Sequence, residues 1–177
     1  WCARNIVKNE PFAVVLPDDL IKAKTGCLKQ MIDKWNGGNM TALSYIKKEN
    51  VSSYGVINPG KIKNNLIEIK EIIEKPKIQD APSLYAVVGR YILVPEIFNH
   101  LSFLEKGTNN EIQLTDSLSA MIGDVSFNGL LFSGDRFDCG TKLEFIQANI
   151  TYALNNKDLK DNLKNWLISK VERDFIK

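Results

Sequence analysis

A single histidine in 177 residues leaves little room for a mechanism that relies on an imidazole to carry protons. That residue, His100, sits in Glu96-Ile97-Phe98-Asn99-His100-Leu101, which reads as a surface helix. Cysteine is scarce as well. Cys2, Cys27 and Cys139 are widely spaced and form no CxxC, which argues against a zinc site or a disulfide framework and fits a reducing, cytoplasmic setting. Cys139 has neither a second cysteine nor a histidine beside it to make it a nucleophile. No stretch of about 18 apolar residues occurs, so no membrane span is expected, and no signal peptide is read. The charged residues, 25% of the chain, sum to only +2. That balance lacks the basic excess by which a nucleic acid or an anionic membrane is bound. Repeats and low-complexity tracts are missing too.

The length suits one substantial core, a domain or most of one. Strand-like runs occupy 12–16, 42–47, 54–58, 66–73, 84–93 and 129–132. Helical patterns lie between some of them. Leu28, Met31, Ile32 and Trp35 recur at helical spacing until Asn36-Gly37-Gly38-Asn39 stops them. Pro95 opens a short helix through His100, and a helix over 113–122 turns Leu114, Leu118, Met121 and Ile122 to one face. This mixture argues for an α/β fold. From Thr141 the chain becomes helical, with one stripe at Leu143, Ile146, Ile150, Ala153 and Leu154. A second stripe comprises Leu159, Leu163, Trp166, Leu167 and Val171, with Phe175 and Ile176 following. The short polar link Asn155-Asn156-Lys157-Asp158 predicts that these helices turn back on each other. The expected division is an α/β domain over 1–140 and a helical segment over 141–177.

Function is most legible in Phe12-Ala13-Val14-Val15-Leu16-Pro17-Asp18-Asp19. An apolar strand stops at a proline and delivers two carboxylates past its end, where ligands bind in open α/β sheets. Adjacent acids there suit a hard divalent cation such as Mg²⁺, or they cap the next turn. Other candidates punctuate the later runs. Gly55 follows Ser53-Tyr54, and Gly89 lies inside Val87-Val88-Gly89-Arg90-Tyr91; each permits close approach of a ligand or marks a bulge. Glu74 and Lys75 close a strand ahead of Pro76, which favours an extended backbone at Lys75. The tract from Lys75 to Pro82 is the expected mobile loop. Asp138, in Phe137-Asp138-Cys139-Gly140, is either a second carboxylate or the cap of the helix that starts near Thr141. Glu111 and Asp116 flank the start of the 113–122 helix, where Asp116 reads as a first-turn charge.

Taken in order, six motifs resemble the bacterial UTP–glucose-1-phosphate uridylyltransferases, relatives of the glucose-1-phosphate thymidylyltransferases. They are Pro11–Asp19, Ser53-Tyr54-Gly55-Val56-Ile57, Ile73-Glu74-Lys75-Pro76, Ala86-Val87-Val88-Gly89-Arg90-Tyr91, Asn110-Glu111-Ile112-Gln113-Leu114-Thr115-Asp116 and Phe137-Asp138-Cys139-Gly140. The resemblance implies a Rossmann-like nucleotidyltransferase fold with a mixed central sheet and carboxyl-terminal helices. It implies Mg²⁺ on Asp18 and Asp138, a sugar beside Gly55, substrate close to Gly89, sugar hydroxyls on Glu74 and phosphates on Lys75. Substrates would be UTP and glucose-1-phosphate, the product UDP-glucose, and the assembly a homo-oligomer. Such transfer needs no histidine, because the attacking phosphate oxygen is already anionic. One departure stands out. The Gly-rich loop with Arg and Lys that cradles the triphosphate is missing, as is the uracil-reading segment. The opening Trp1-Cys2-Ala3-Arg4-Asn5 looks like the middle of a helix, so the chain reads as a carboxyl-terminal fragment, inactive alone. The rivals are a non-catalytic sugar-nucleotide-binding or oligomerisation module and a metal-dependent glycosyltransferase. Glu74-Lys75-Pro76 with Phe137-Asp138-Cys139-Gly140 speaks against the glycosyltransferase.

Overall fold

The computed structural model describes residues 1–103 and 114–175, excepting the side chains of Phe103 and Phe175. Glu111, the rest of 110–113 and Ile176 lie outside the described residues. The chain divides into two compact units, Trp1–Pro17 with Ile21–Asp135, and Asp18–Leu20 with Arg136–Lys177.

The first unit is built on a six-stranded sheet. Its strands are β1 (Phe12–Val15), β3 (Asn39–Tyr45), β4 (Gly55–Lys63), β5 (Leu66–Glu74), β6 (Tyr85–Leu93) and β7 (Phe127–Leu131). The spatial order is β1-β6-β3-β7-β5-β4. Among the described residues of this sheet β3 and β7 pair parallel and the other pairings are antiparallel, which makes the sheet mixed as expected. The central strands are apolar on both faces because both faces are covered. On one face Met40, Ala42, Val88 and Ile92 pack with Cys27 and Met31 of helix α2 (Cys27–Lys34). On the other, Leu43, Val87, Tyr91 and Leu93 join Ile97 of α3 (Ile97–Phe103) and Leu118 of α4 (Leu114–Ala120). A third, smaller cluster gathers Ile46, Val51, Val56 and Ala86. Burial pushes the Cys27 thiol up to about 11, so it stays protonated at neutral pH and inert. The opening segment forms only a short helix, α1 (Arg4–Val7).

The second unit contributes the end residues of a two-stranded sheet, β2 (Asp19–Lys22) with β8 (Asp135–Asp138), and helices α5 (Lys142–Ala153) and α6 (Lys160–Phe175). Neither strand follows from the sequence pattern. Each is four residues long and polar at its outer end, so it has no apolar run to announce it. Thr141 caps α5, accepting from the Glu144 N–H at 3.3 Å. Helices α5 and α6 approach each other closely at few backbone positions. The link between them is a run of turns, in which the Leu159 and Lys160 N–H groups donate to the Asn156 carbonyl and the Asp158 N–H to the Asn156 side chain. Within the apolar stripes Ile150, Ala153, Leu154, Leu163 and Leu167 are half-buried, while Leu143 is 66% and Trp166 57% exposed.

Gly129 marks the tightest approach inside the sheet. A Cβ there would stand 2.2 Å from Leu43 Cδ1 and 2.7 Å from Leu43 Cγ, and Leu43 is fully enclosed. Gly129→Ala is expected to lower stability by about 1–3 kcal/mol through overpacking. Urea denaturation checks this; an unchanged midpoint would show that Leu43 repacks without cost.

Candidate functional site

The carboxylates Asp18 and Asp138 both belong to the second unit, which brings their strands together. Asp18 is exposed, while Asp19, next to it, is buried. Asp18 lies in the turn just before β2, and Asp19 is the first residue of that strand. The Cys139 N–H donates to the Asp18 carbonyl at 2.8 Å, which ties the end of β8 to the start of β2. Asp138 accepts from the Gly140 N–H at 3.1 Å, and its own N–H donates to Glu144 Oε2 at 2.5 Å. Because Thr141 caps α5, the capping alternative for Asp138 falls away. Arg136 joins the group. Its Nε donates to Asp19 Oδ1 at 2.5 Å, and one terminal nitrogen lies 3.8 Å from Asp138 Oδ2. Residues 136 and 138 of β8 share a face, which places Arg136 beside Asp138.

Asp18 and Asp138 offer hard oxygen donors, and no cluster of three potential metal ligands occurs among the described residues. Two carboxylates are what Mg²⁺ takes when substrate phosphates and water complete its shell. The residues present therefore fit that ion.

Gly55, Glu74, Lys75 and Gly89 belong to the first unit. Gly55 opens β4 directly opposite Glu74 at the end of β5. A Cβ on Gly55 would meet Glu74 Oε2 at 3.1 Å and Thr115 Cγ2 at 3.6 Å, so the glycine makes room for the carboxylate. Lys75 Nζ reaches Glu74 Oε1 only at 4.0 Å, a pair at the limit of contact. The backbone at Lys75 departs from expectation. Its φ is +47°, in the left-handed region rather than extended. Its N–H donates to the Tyr54 carbonyl at 3.1 Å, and Ser52 Oγ donates to the Pro76 carbonyl at 2.8 Å. These anchors override the local preference before proline. Gly89 lies in a bulge, since β3 and β6 pair Thr41 with Tyr91 but Ala42 with Val88. Its carbonyl accepts from the Leu16 N–H, and Arg90 donates to the Leu16 carbonyl, both at 2.8 Å. The bulge thus holds the exit of β1 just before Pro17. Asp116 occupies the first turn of α4 as expected. Sequence reasoning passed over Asp19 as an ion-pair partner, Arg136 and Thr115.

The model of the nucleotidyl transferase family matches residues 1–155. The chain belongs to this family. Among individual nucleotidyl transferases, the UTP–glucose-1-phosphate uridylyltransferase of Komagataeibacter xylinus is 40% identical over 169 residues, 94% of this chain and 57% of that protein. The enzyme of the same name from Staphylococcus haemolyticus is 40% identical over 167 residues, 93% of this chain and 58% of that one. A solved UDP-glucose pyrophosphorylase complexed with UDP-glucose superposes with a TM-score of 0.82 at 39% identity, covering 87% of this chain and 60% of its own. A UTP-bound enzyme from Acinetobacter baumannii gives 0.81 at 31% identity, covering 94% and 59%. The resemblance read from the six motifs is met. The chain spans just under three fifths of the length of the relatives it matches.

The left-handed backbone at Lys75 has a measurable cost, on the order of 1–2 kcal/mol for a residue with a Cβ. Lys75→Gly is expected to unfold at higher urea than Lys75→Ala by about 1 kcal/mol, since both lose the ammonium and only glycine relieves the strain. Equal midpoints would mean that the surrounding loop relaxes instead.

Proposed function

We propose that this chain supplies the cation-binding and sugar-binding part of a UTP–glucose-1-phosphate uridylyltransferase, which forms UDP-glucose and pyrophosphate. The observation that carries the reading is the close likeness, at 39% identity, to a UDP-glucose pyrophosphorylase holding UDP-glucose. In the reaction the phosphate oxygen of glucose-1-phosphate attacks the α-phosphorus of UTP, and the bond to pyrophosphate breaks. The nucleophile arrives ionised, so the protein's work is positioning and charge compensation. Asp18 and Asp138 would hold Mg²⁺, which supplies positive charge to the phosphate oxygens. Glu74 accepts hydrogen bonds from sugar hydroxyls, and Gly55 leaves space for its carboxylate. Lys75 offers its ammonium to the phosphates, and Gly89 admits the sugar close to the backbone of β6.

Three free cysteines accord with a reducing, cytoplasmic setting. No described helix is long and apolar enough to cross a membrane. The open apolar face at Leu159, Trp166 and Val171 favours assembly into a homo-oligomer. A second reading for these residues by themselves is a sugar-nucleotide-binding module without turnover. It is favoured by one observation: no Gly-rich loop bearing Arg and Lys is found in the sequence.

Pyrophosphate release from UTP and glucose-1-phosphate tests both readings. The 177-residue chain alone is expected to show none above a mock preparation. A protein carrying these residues together with a triphosphate loop should turn over. In it, Asp18→Asn should lower the rate by about 10²–10³, as loss of a charge-clamping group commonly does. A variant within about threefold of its parent would assign Asp18 a structural role only.

A further inference from the structure

Two adjacent acids, Asp18 and Asp19, leave the strand, and either has the chemistry to hold a cation. Their surroundings separate them. Asp19 is 8% exposed and pairs with Arg136, whose side chain is itself only 12% exposed. A guanidinium is charged at every accessible pH and presents a fixed fork of donors. One edge of that fork meets Asp19 on β2, and a terminal nitrogen stands 3.8 Å from Asp138 on β8.

We propose that Arg136 is a positioning residue. It neutralises Asp19 and thereby removes it from the cation's ligands, and it holds the Asp138 carboxylate in place, leaving Asp18 and Asp138 as a two-carboxylate site. This rests on the reading of Asp18 and Asp138 as cation ligands. With Asp19 compensated by Arg136, Asp18 and Asp138 are left to face a cation, and Glu144 Oε2 is engaged by the Asp138 N–H. A divalent ion offsets two carboxylates, and its remaining positions stay open to phosphate oxygens and water. A third free carboxylate would hold the ion more tightly and compete with the phosphates for it.

The test uses Mn²⁺ as the probe, with free ion followed by electron paramagnetic resonance in titrations of the 177-residue chain. Arg136→Gln is expected to tighten Mn²⁺ binding about tenfold, the effect of one added negative charge at several ångströms in a high effective dielectric. Asp19→Asn, which leaves the guanidinium uncompensated, is expected to weaken it about tenfold. The double variant should return close to the parent, because it restores the net charge. A purely structural ion pair would shift both single variants in the same direction and leave the double variant no better, which would overturn the proposal. If Arg136→Gln fails to fold, Asp19→Asn against the double variant still reads the sign, and no difference between them overturns it equally. Asp18→Asn separates the two readings. If it abolishes Mn²⁺ binding while the Arg136 series is flat, only the role of Arg136 fails. If the parent binds no Mn²⁺, or Asp18→Asn leaves binding unchanged, the cation reading fails with it.

Discussion

Strand β6 hydrogen-bonds to β1, β3 and, through Val56 and Ala86, to β4, so the register of three strands depends on its own. Its side chains serve two cores at once. Val88 and Ile92 meet α2, while Val87, Tyr91 and Leu93 meet the cluster that includes α3 and α4. A slip of one residue would exchange these sets and strand each against the wrong partners. The Gly89 bulge is tolerated inside this constraint and re-aims the strand locally. It turns the Gly89 carbonyl to Leu16 and lets Arg90 grip the same residue, so the end of β1 is held just ahead of Pro17. Proline then ends the ladder because it has no N–H to donate.

Beyond that point charge decides more than packing. Burying a carboxylate costs several kcal/mol unless a cation and hydrogen bonds answer it. Asp19 is answered by Arg136, and Asp18 remains exposed. Two residues of identical chemistry, adjacent in the chain, thus acquire different environments, one in an exposed turn and the other at the start of a strand beside Arg136. In the first unit the comparable device is Gly55, whose missing side chain is the space occupied by the Glu74 carboxylate. At Lys75 the molecule accepts a left-handed backbone beside proline. Such strain is kept where the surroundings over-determine it, and it falls on a residue offered here as a phosphate contact.

The α/β class and most of the strands were legible because a run buried on both faces reads as continuous apolar sequence, whereas the mixed sheet was expected from the family resemblance alone. The stretches around β5 and β6 are of this kind, and their observed limits, Leu66–Glu74 and Tyr85–Leu93, lie within one residue of those expected. Helix α2 was legible from the spacing of Leu28 and Met31. Strands β2 and β8 were not, because four residues with acids at their ends carry no periodic signal and are defined only by each other. Of the candidate site, the acids, glycines and the Glu74-Lys75 pair were named from motifs. Their partners Arg136 and Thr115 were not, because an ion pair across 117 residues has no local pattern.

By itself the sequence determined what the backbone and local chemistry dictate: which stretches are apolar enough to be central strands, where proline must end one, and where carboxylates and glycines fall at the ends of those strands. Tertiary structure alone decided which of the two adjacent aspartates is buried, which glycine yields its space to a carboxylate, that Thr141 rather than Asp138 caps α5, and that Lys75 is left-handed. Each of those outcomes depends on a partner distant in the chain, and burial and hydrogen bonding with such a partner outweigh local preferences of about 1 kcal/mol.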